Sequence, residues 1–143
     1  MEKELFIDIG VVDYKLNDKV TVSFNPTDAN FVEKLYSAFE ELDKKQEGYR
    51  KRISEMAGDK EVFTFTRELD AEMREIIDEV LGAPVSEALF GNVNVYAMSG
   101  GLPVWCNLML AIMDEVDTTV AKEQKASSPR LAKYTAKYQK YHK

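Results

Sequence analysis

A chain of 143 residues, 45% hydrophobic and 31% charged, is long enough to bury a core without disulfides or a structural metal, and no apolar run in it reaches membrane-spanning length. One cysteine excludes an internal disulfide, and the net charge of -6 works against nucleic acid as a partner. The charge is uneven: from residue 121 onward seven basic residues face one acid, a balance of +6, which leaves -12 on the part before it. Such a basic end suits an acidic surface, its own or a partner's. The start, Met1-Glu2-Lys3-Glu4, lacks the basic and then apolar pattern of a secretory signal, so the expected location is the cytoplasm.

In chain order, Leu5, Ile7, Ile9 and Val11 alternate with Phe6, Asp8 and Gly10, the period of a strand with one buried face. The phase slips at Val11-Val12 and continues through Val12, Tyr14 and Leu16, which predicts a bulge near Gly10 or two short strands. After Asn17-Asp18 the run Val20, Val22, Phe24 predicts the second strand of a hairpin. Two strands are marginal alone and must lie on helices or pair with another chain.

Asn25-Pro26-Thr27-Asp28 reads as a turn that caps a long helix, ended by Gly58 as a left-handed terminator, with Gly48 a point for a kink. Along it Val32, Leu35, Phe39, Leu42, Gln46, Tyr49, Ile53 and Met56 recur at three- and four-residue steps, a seam that wants a partner helix. The domain's size favours covering it with the chain's own helices over an intermolecular coiled coil. Gln46 is the polar interruption, and its replacement by leucine is expected to raise stability if the seam is internal.

A second helix is predicted from Thr64 or Thr66 through Met73 to Gly82, then a short one opened by Pro84 and ended by Gly91. Residues 92–102 are looser, with Ser99-Gly100-Gly101 a flexible or tight link. Pro103 suits the first turn of a helix in which Val104, Trp105, Leu108, Met109, Ile112, Met113 and Val116 form the widest apolar surface, the candidate central helix. Ser127-Ser128-Pro129 is expected to interrupt it. Beyond, Leu131, Tyr134, Tyr138 and Tyr141 recur at helical steps among lysines. The expected fold is α+β, mainly α: an N-terminal β-hairpin, a bundle of about three to four helices in one domain over 1–126, and a basic, tyrosine-rich helical tail over 127–143.

Candidates for chemistry are few. Cys106 sits in an apolar helix and reads as a small buried hydrophobe. His142, the sole histidine, is penultimate, and one Cys with one His cannot build a soft-ligand zinc site. Asp114, Glu115 and Asp117 read as a solvated acidic face, and neither a P-loop nor a dinucleotide glycine pattern occurs. No catalytic, cofactor or metal site is expected, and the chain is read as a non-enzyme.

Three stretches resemble a group of tail assembly chaperones from long-tailed phages and prophages of Gram-positive bacteria: FNPTDANFVEKLYSAFEELDKKQ at 24–46, GLPVWCNLMLAIMDEVD at 101–117, and RLAKYTAKYQKYHK from Arg130. The resemblance implies binding of the tape measure protein in the host cytoplasm, recruitment of tail tube protein, and no chemistry; a homo-oligomer stays open, and neither nucleic acid nor membrane is expected as a partner. The contact surface expected for the client is Tyr134, Tyr138 and Tyr141 with Lys133 and Lys137, followed by exposed parts of the 32–56 seam. A structural tail component, at the tube end or as a connector, is the alternative.

Overall fold

The computed structural model describes the backbone of residues 1–141, and their side chains except at 127–131 and 134–141. The fold is α+β and mainly α, with a two-stranded antiparallel hairpin followed by helices. Strands β1 (Val12–Leu16) and β2 (Val20–Phe24) pair from Val12↔Phe24 to Leu16↔Val20. Asn17 and Asp18 both carry positive φ in the turn, a conformation these two residue types tolerate better than most. Tyr14, Leu16, Val20, Val22 and Phe24 face the helices; Val22 and Phe24 are buried, and Phe24 stacks between Tyr14 and Phe31 at ring distances of 4.6 and 4.3 Å.

The strand expected over 5–11 is absent. Residues 1–11 run without helix, strand, turn or bend, and Leu5, Phe6, Ile7, Ile9 and Val11 are exposed. The hairpin register explains why: continued backwards, it sets Gly10 opposite Pro26, which has no N–H to donate and is buried in the turn that leads into the first helix. The phase slip is realised at Gly10 itself, whose φ of 72° lies in the left-handed region.

Helix α1 (Ala29–Glu55) starts where the Asp28 carboxylate accepts the Asn30 amide, and it runs unbroken through Gly48. Gly58 does not terminate it. Met56, in extended conformation, caps its end, and Gly58, at φ -129°, caps the start of α2 (Asp59–Leu81) instead. That helix begins earlier than Thr64, because Asp59 and Glu61 place negative charge at the positive end of its dipole. It ends at left-handed Gly82, whose amide reaches back to the carbonyl of Glu79. The short α3 (Val85–Phe90) follows Pro84 and stops at Gly91.

Ser99-Gly100-Gly101 is a tight turn between two-residue strands β3 (Met98–Ser99) and β4 (Leu102–Pro103), with positive φ at both glycines. Helix α4 (Val104–Tyr141) then passes through the centre of the molecule. Trp105, Met109, Ile112 and Val116 are buried in it against Leu35 and Leu42 of α1 and Met73 and Ile77 of α2. The α1 seam is thereby covered within the chain. The interruption expected at 127–129 is not there; the helix continues, which a proline permits at the loss of one backbone bond when its neighbours are strongly helical. At 38 residues α4 is about 57 Å long, far longer than the core it crosses. Among the described residues, no helix is long and apolar enough to cross a membrane.

Candidate functional site

The projecting part of α4 holds the residues singled out for contact. Apolar burial along it ends with Val116, buried, and Val120, half-buried. Residues 121–126 are exposed one after another, and six consecutive helical positions span more than a full turn, so every side of the helix there meets solvent. The backbone stays helical to Tyr141, which puts positions 134, 138 and 141 on one stripe at steps of four and three. Lys133 is exposed. The side chains of Tyr134, Lys137, Tyr138 and Tyr141 lie outside the described residues, as does His142 altogether.

The seam, second in order of expected contacts, is mostly spent on internal packing. Leu35 and Leu42 are fully buried, and Val32, Phe39 and Tyr49 are half-buried against the core. Tyr49 stacks on Tyr96 at 4.5 Å and faces Phe65 at 6.1 Å, and Ile53 and Met56 at the end of the seam are half-exposed away from that core. Gln46 has a partner that no spacing rule shows. Its Oε1 accepts the indole N–H of buried Trp105 at 2.6 Å, a pairing across 59 residues of chain. The polar interruption therefore satisfies a donor that would otherwise be stranded in the core, so leucine there is now expected to destabilise, where the seam alone predicted a gain.

A polar cluster that sequence reading missed holds the irregular segment between α3 and β3. Arg74 donates to Asp70 at 2.9 Å and to the carbonyls of Gly91 at 3.0 Å and Val93 at 2.7 Å. Asp70 also accepts the Val95 amide at 2.8 Å, and Asp78 accepts both the amide and the hydroxyl of buried Ser86 at 2.8 Å. Backbone groups that form no ladder are thereby paired, which fixes the path of the segment. The signal was the recurrence of Asp70, Arg74 and Asp78 at four-residue steps beside the apolar stripe of Met73 and Ile77. Every member is engaged within the chain, so the cluster is architectural.

The remaining chemical candidates are quiet. Cys106 is buried, and burial raises its thiol pKa, which opposes the reactive thiolate. Asp114 and Asp117 are exposed, while Glu115 accepts the Tyr14 hydroxyl at 3.3 Å and so ties the hairpin to α4. Among the described residues, no three His, Cys, Asp or Glu side chains converge as a metal site. Between α1 and α2 runs an open groove of about 590 Å³, floored by Ala38, Ile76 and Val80 and rimmed by Glu33, Glu41 and Glu79 together with Lys34.

Comparison with known protein families, with characterised proteins and with solved structures gave no match to this chain.

Proposed function

We propose that this protein is a tail assembly chaperone of a long-tailed phage or prophage, which binds the tape measure protein in the host cytoplasm, keeps it soluble and helps recruit tail tube subunits. The observation that carries this function is the continuation of α4 beyond its own core, exposed on all sides at 121–126 and helical onward through a basic, tyrosine-bearing sequence. A helix presented in this way pairs with a partner helix through residues at steps of three and four, and its lysines meet acidic client residues. The opposite charge of the body, -12 before residue 121, keeps copies of the chaperone soluble while the client is held. The protein acts by reversible burial and carries out no chemistry. Release follows when tube protein competes for the same apolar surface of the client.

Co-expression with the long helical tape measure protein of the same phage tests the assignment. The expected result is a soluble complex with the wild-type chain, and loss of that complex when Tyr134, Tyr138 and Tyr141 are replaced by alanine in a variant that unfolds at the wild-type temperature. A tape measure protein that stays equally insoluble with and without the wild-type chain overturns the function. Recovery of the protein in purified particles points to a structural tail component instead.

A further inference from the structure

The first eleven residues carry a cluster of exposed apolar side chains that the tail-centred function leaves unused. Leu5, Phe6, Ile7 and Ile9 retain 79, 89, 74 and 71% of their full exposure, a concentration that a folded chain seldom leaves in water. The segment is held at its base. Asn25 donates its side-chain amide to the Ile9 carbonyl at 2.8 Å, and the Gly10 amide donates to the Asp8 carboxylate at 2.8 Å. It is thus presented from a fixed point at the end of β1, and Pro26 prevents it from extending the hairpin of its own chain.

The sequence of this arm is complementary to itself. We propose that residues 5–9 form an antiparallel strand pair with the same residues of a second copy, centred on Ile7, so that the arm is a two-fold dimerisation element. In that register Leu5 faces the partner's Ile9, Ile7 faces the partner's Ile7, and Ile9 faces the partner's Leu5, all on one side of the pair. Phe6 and Asp8 face each other on the opposite side. Competing registers fail on charge or on pattern. A shift by two residues sets Asp8 against the partner's Asp8 in one direction and Glu4 against the partner's Asp8 in the other, and like charges directly opposite are destabilising. A shift by one residue puts Asp8 against aliphatic side chains and mixes the two faces. Parallel pairing in register again stacks Asp8 on Asp8. Among these pairings the one about Ile7 gathers the aliphatic residues on one face and keeps the carboxylates apart, and its two-fold symmetry calls for a second copy of this chain as the occupant.

The pairing is independent of what α4 binds, and sedimentation equilibrium of the full chain over a wide concentration range tests it. The wild-type protein is expected to be a dimer that dissociates on dilution. Ile7→Asp and Ile7→Lys each place like charges on the dyad and are expected to be monomeric, with unfolding temperatures equal to that of the wild-type monomer because Ile7 is exposed in it. Mixed in equal amounts, the two variants are expected to form a heterodimer, since aspartate then faces lysine. A wild-type chain that is monomeric throughout, a dimer that survives Ile7→Asp, or a mixture that stays monomeric each overturns the proposal.

Discussion

The two apolar alternations on either side of Gly10 share the period of a strand and have opposite fates. Residues 12–24 bend back on themselves, pair, and lay Val22 and Phe24 on the helices, whereas residues 5–9 carry four large apolar side chains, Leu5, Phe6, Ile7 and Ile9, and bury none of them. Alternation encodes the capacity to be a strand. A strand is realised only where a partner supplies the hydrogen bonds and a layer covers one face, and for the first segment Pro26 removes the partner within the chain. The contrast is tested most strongly by one truncation on each side. Phe24→Ala, inside the Tyr14–Phe24–Phe31 stack, is expected to cost about 3–5 kcal/mol in urea unfolding. Phe6→Ala is expected to stay within about 0.5 kcal/mol when measured on the monomer. Equal effects would show that the arm is packed in solution.

The same separation of pattern from partner governs Gln46. Its position in the α1 seam was visible at helical spacing, but its acceptor role depends on Trp105 arriving from α4. Gln46→Leu is therefore expected to destabilise by about 1–3 kcal/mol, since a buried indole N–H loses the acceptor it has in the folded chain. Added stability on this change would show that water replaces the glutamine.

Most of the framework was legible because it rests on local signals: the Asn17-Asp18 turn, the Asp28 cap, Gly82, Pro84 and Gly91, and the apolar stripe around Trp105 all act through residues close in sequence. What was not legible depends on distant partners or on competition between neighbours. The Arg74 cluster joins α2 to carbonyls 17 and 19 residues away, and the four-residue spacing of Asp70, Arg74 and Asp78 marks one face of α2 without showing which carbonyls it meets. Pro129 argued for a break, and the alanine- and lysine-rich sequence around it continues the helix. For the candidate contact surface, the helical register of 134, 138 and 141 was legible, while its projection from the body needed the fold to show where burial along α4 ends.

Gly10 is the joint between the two alternations, and its replacement sharpens the comparison at smaller amplitude. A Cβ there would stand 2.6 Å from the Asn25 side-chain nitrogen, which is itself bonded to Ile9, and φ is 72°. Gly10→Ala is expected to cost about 1 kcal/mol through the left-handed backbone alone. It should also release the base of the arm, seen as faster amide exchange at 8–10 with exchange in the hairpin unchanged. Slowed exchange across both segments would mean that the glycine was keeping two compatible strands apart.

The smallest effect lies at the tie between the hairpin and α4. Burial raises the pKa of the Tyr14 hydroxyl above the ordinary value of 10.0, and the charge of Glu115 beside it adds to the rise. A phenol whose folded pKa is raised holds its proton longer folded than unfolded. Its contribution to stability is complete below about pH 10 and is lost as pH climbs beyond that value, because the unfolded chain ionises first. Tyr14→Phe removes a hydrogen bond of 3.3 Å, long enough that the loss near neutral pH is expected to be only about 0.5 kcal/mol. Urea unfolding followed across the alkaline range should show a shallower decline for Tyr14→Phe than for the wild type. An identical decline in both would mean that the phenol is as hydrated as in the unfolded chain. The hairpin would then be held on the helices by its apolar face, Val22 and Phe24 with Tyr14, Leu16 and Val20 beside them, and apolar cover would be the whole of what separates it from the arm.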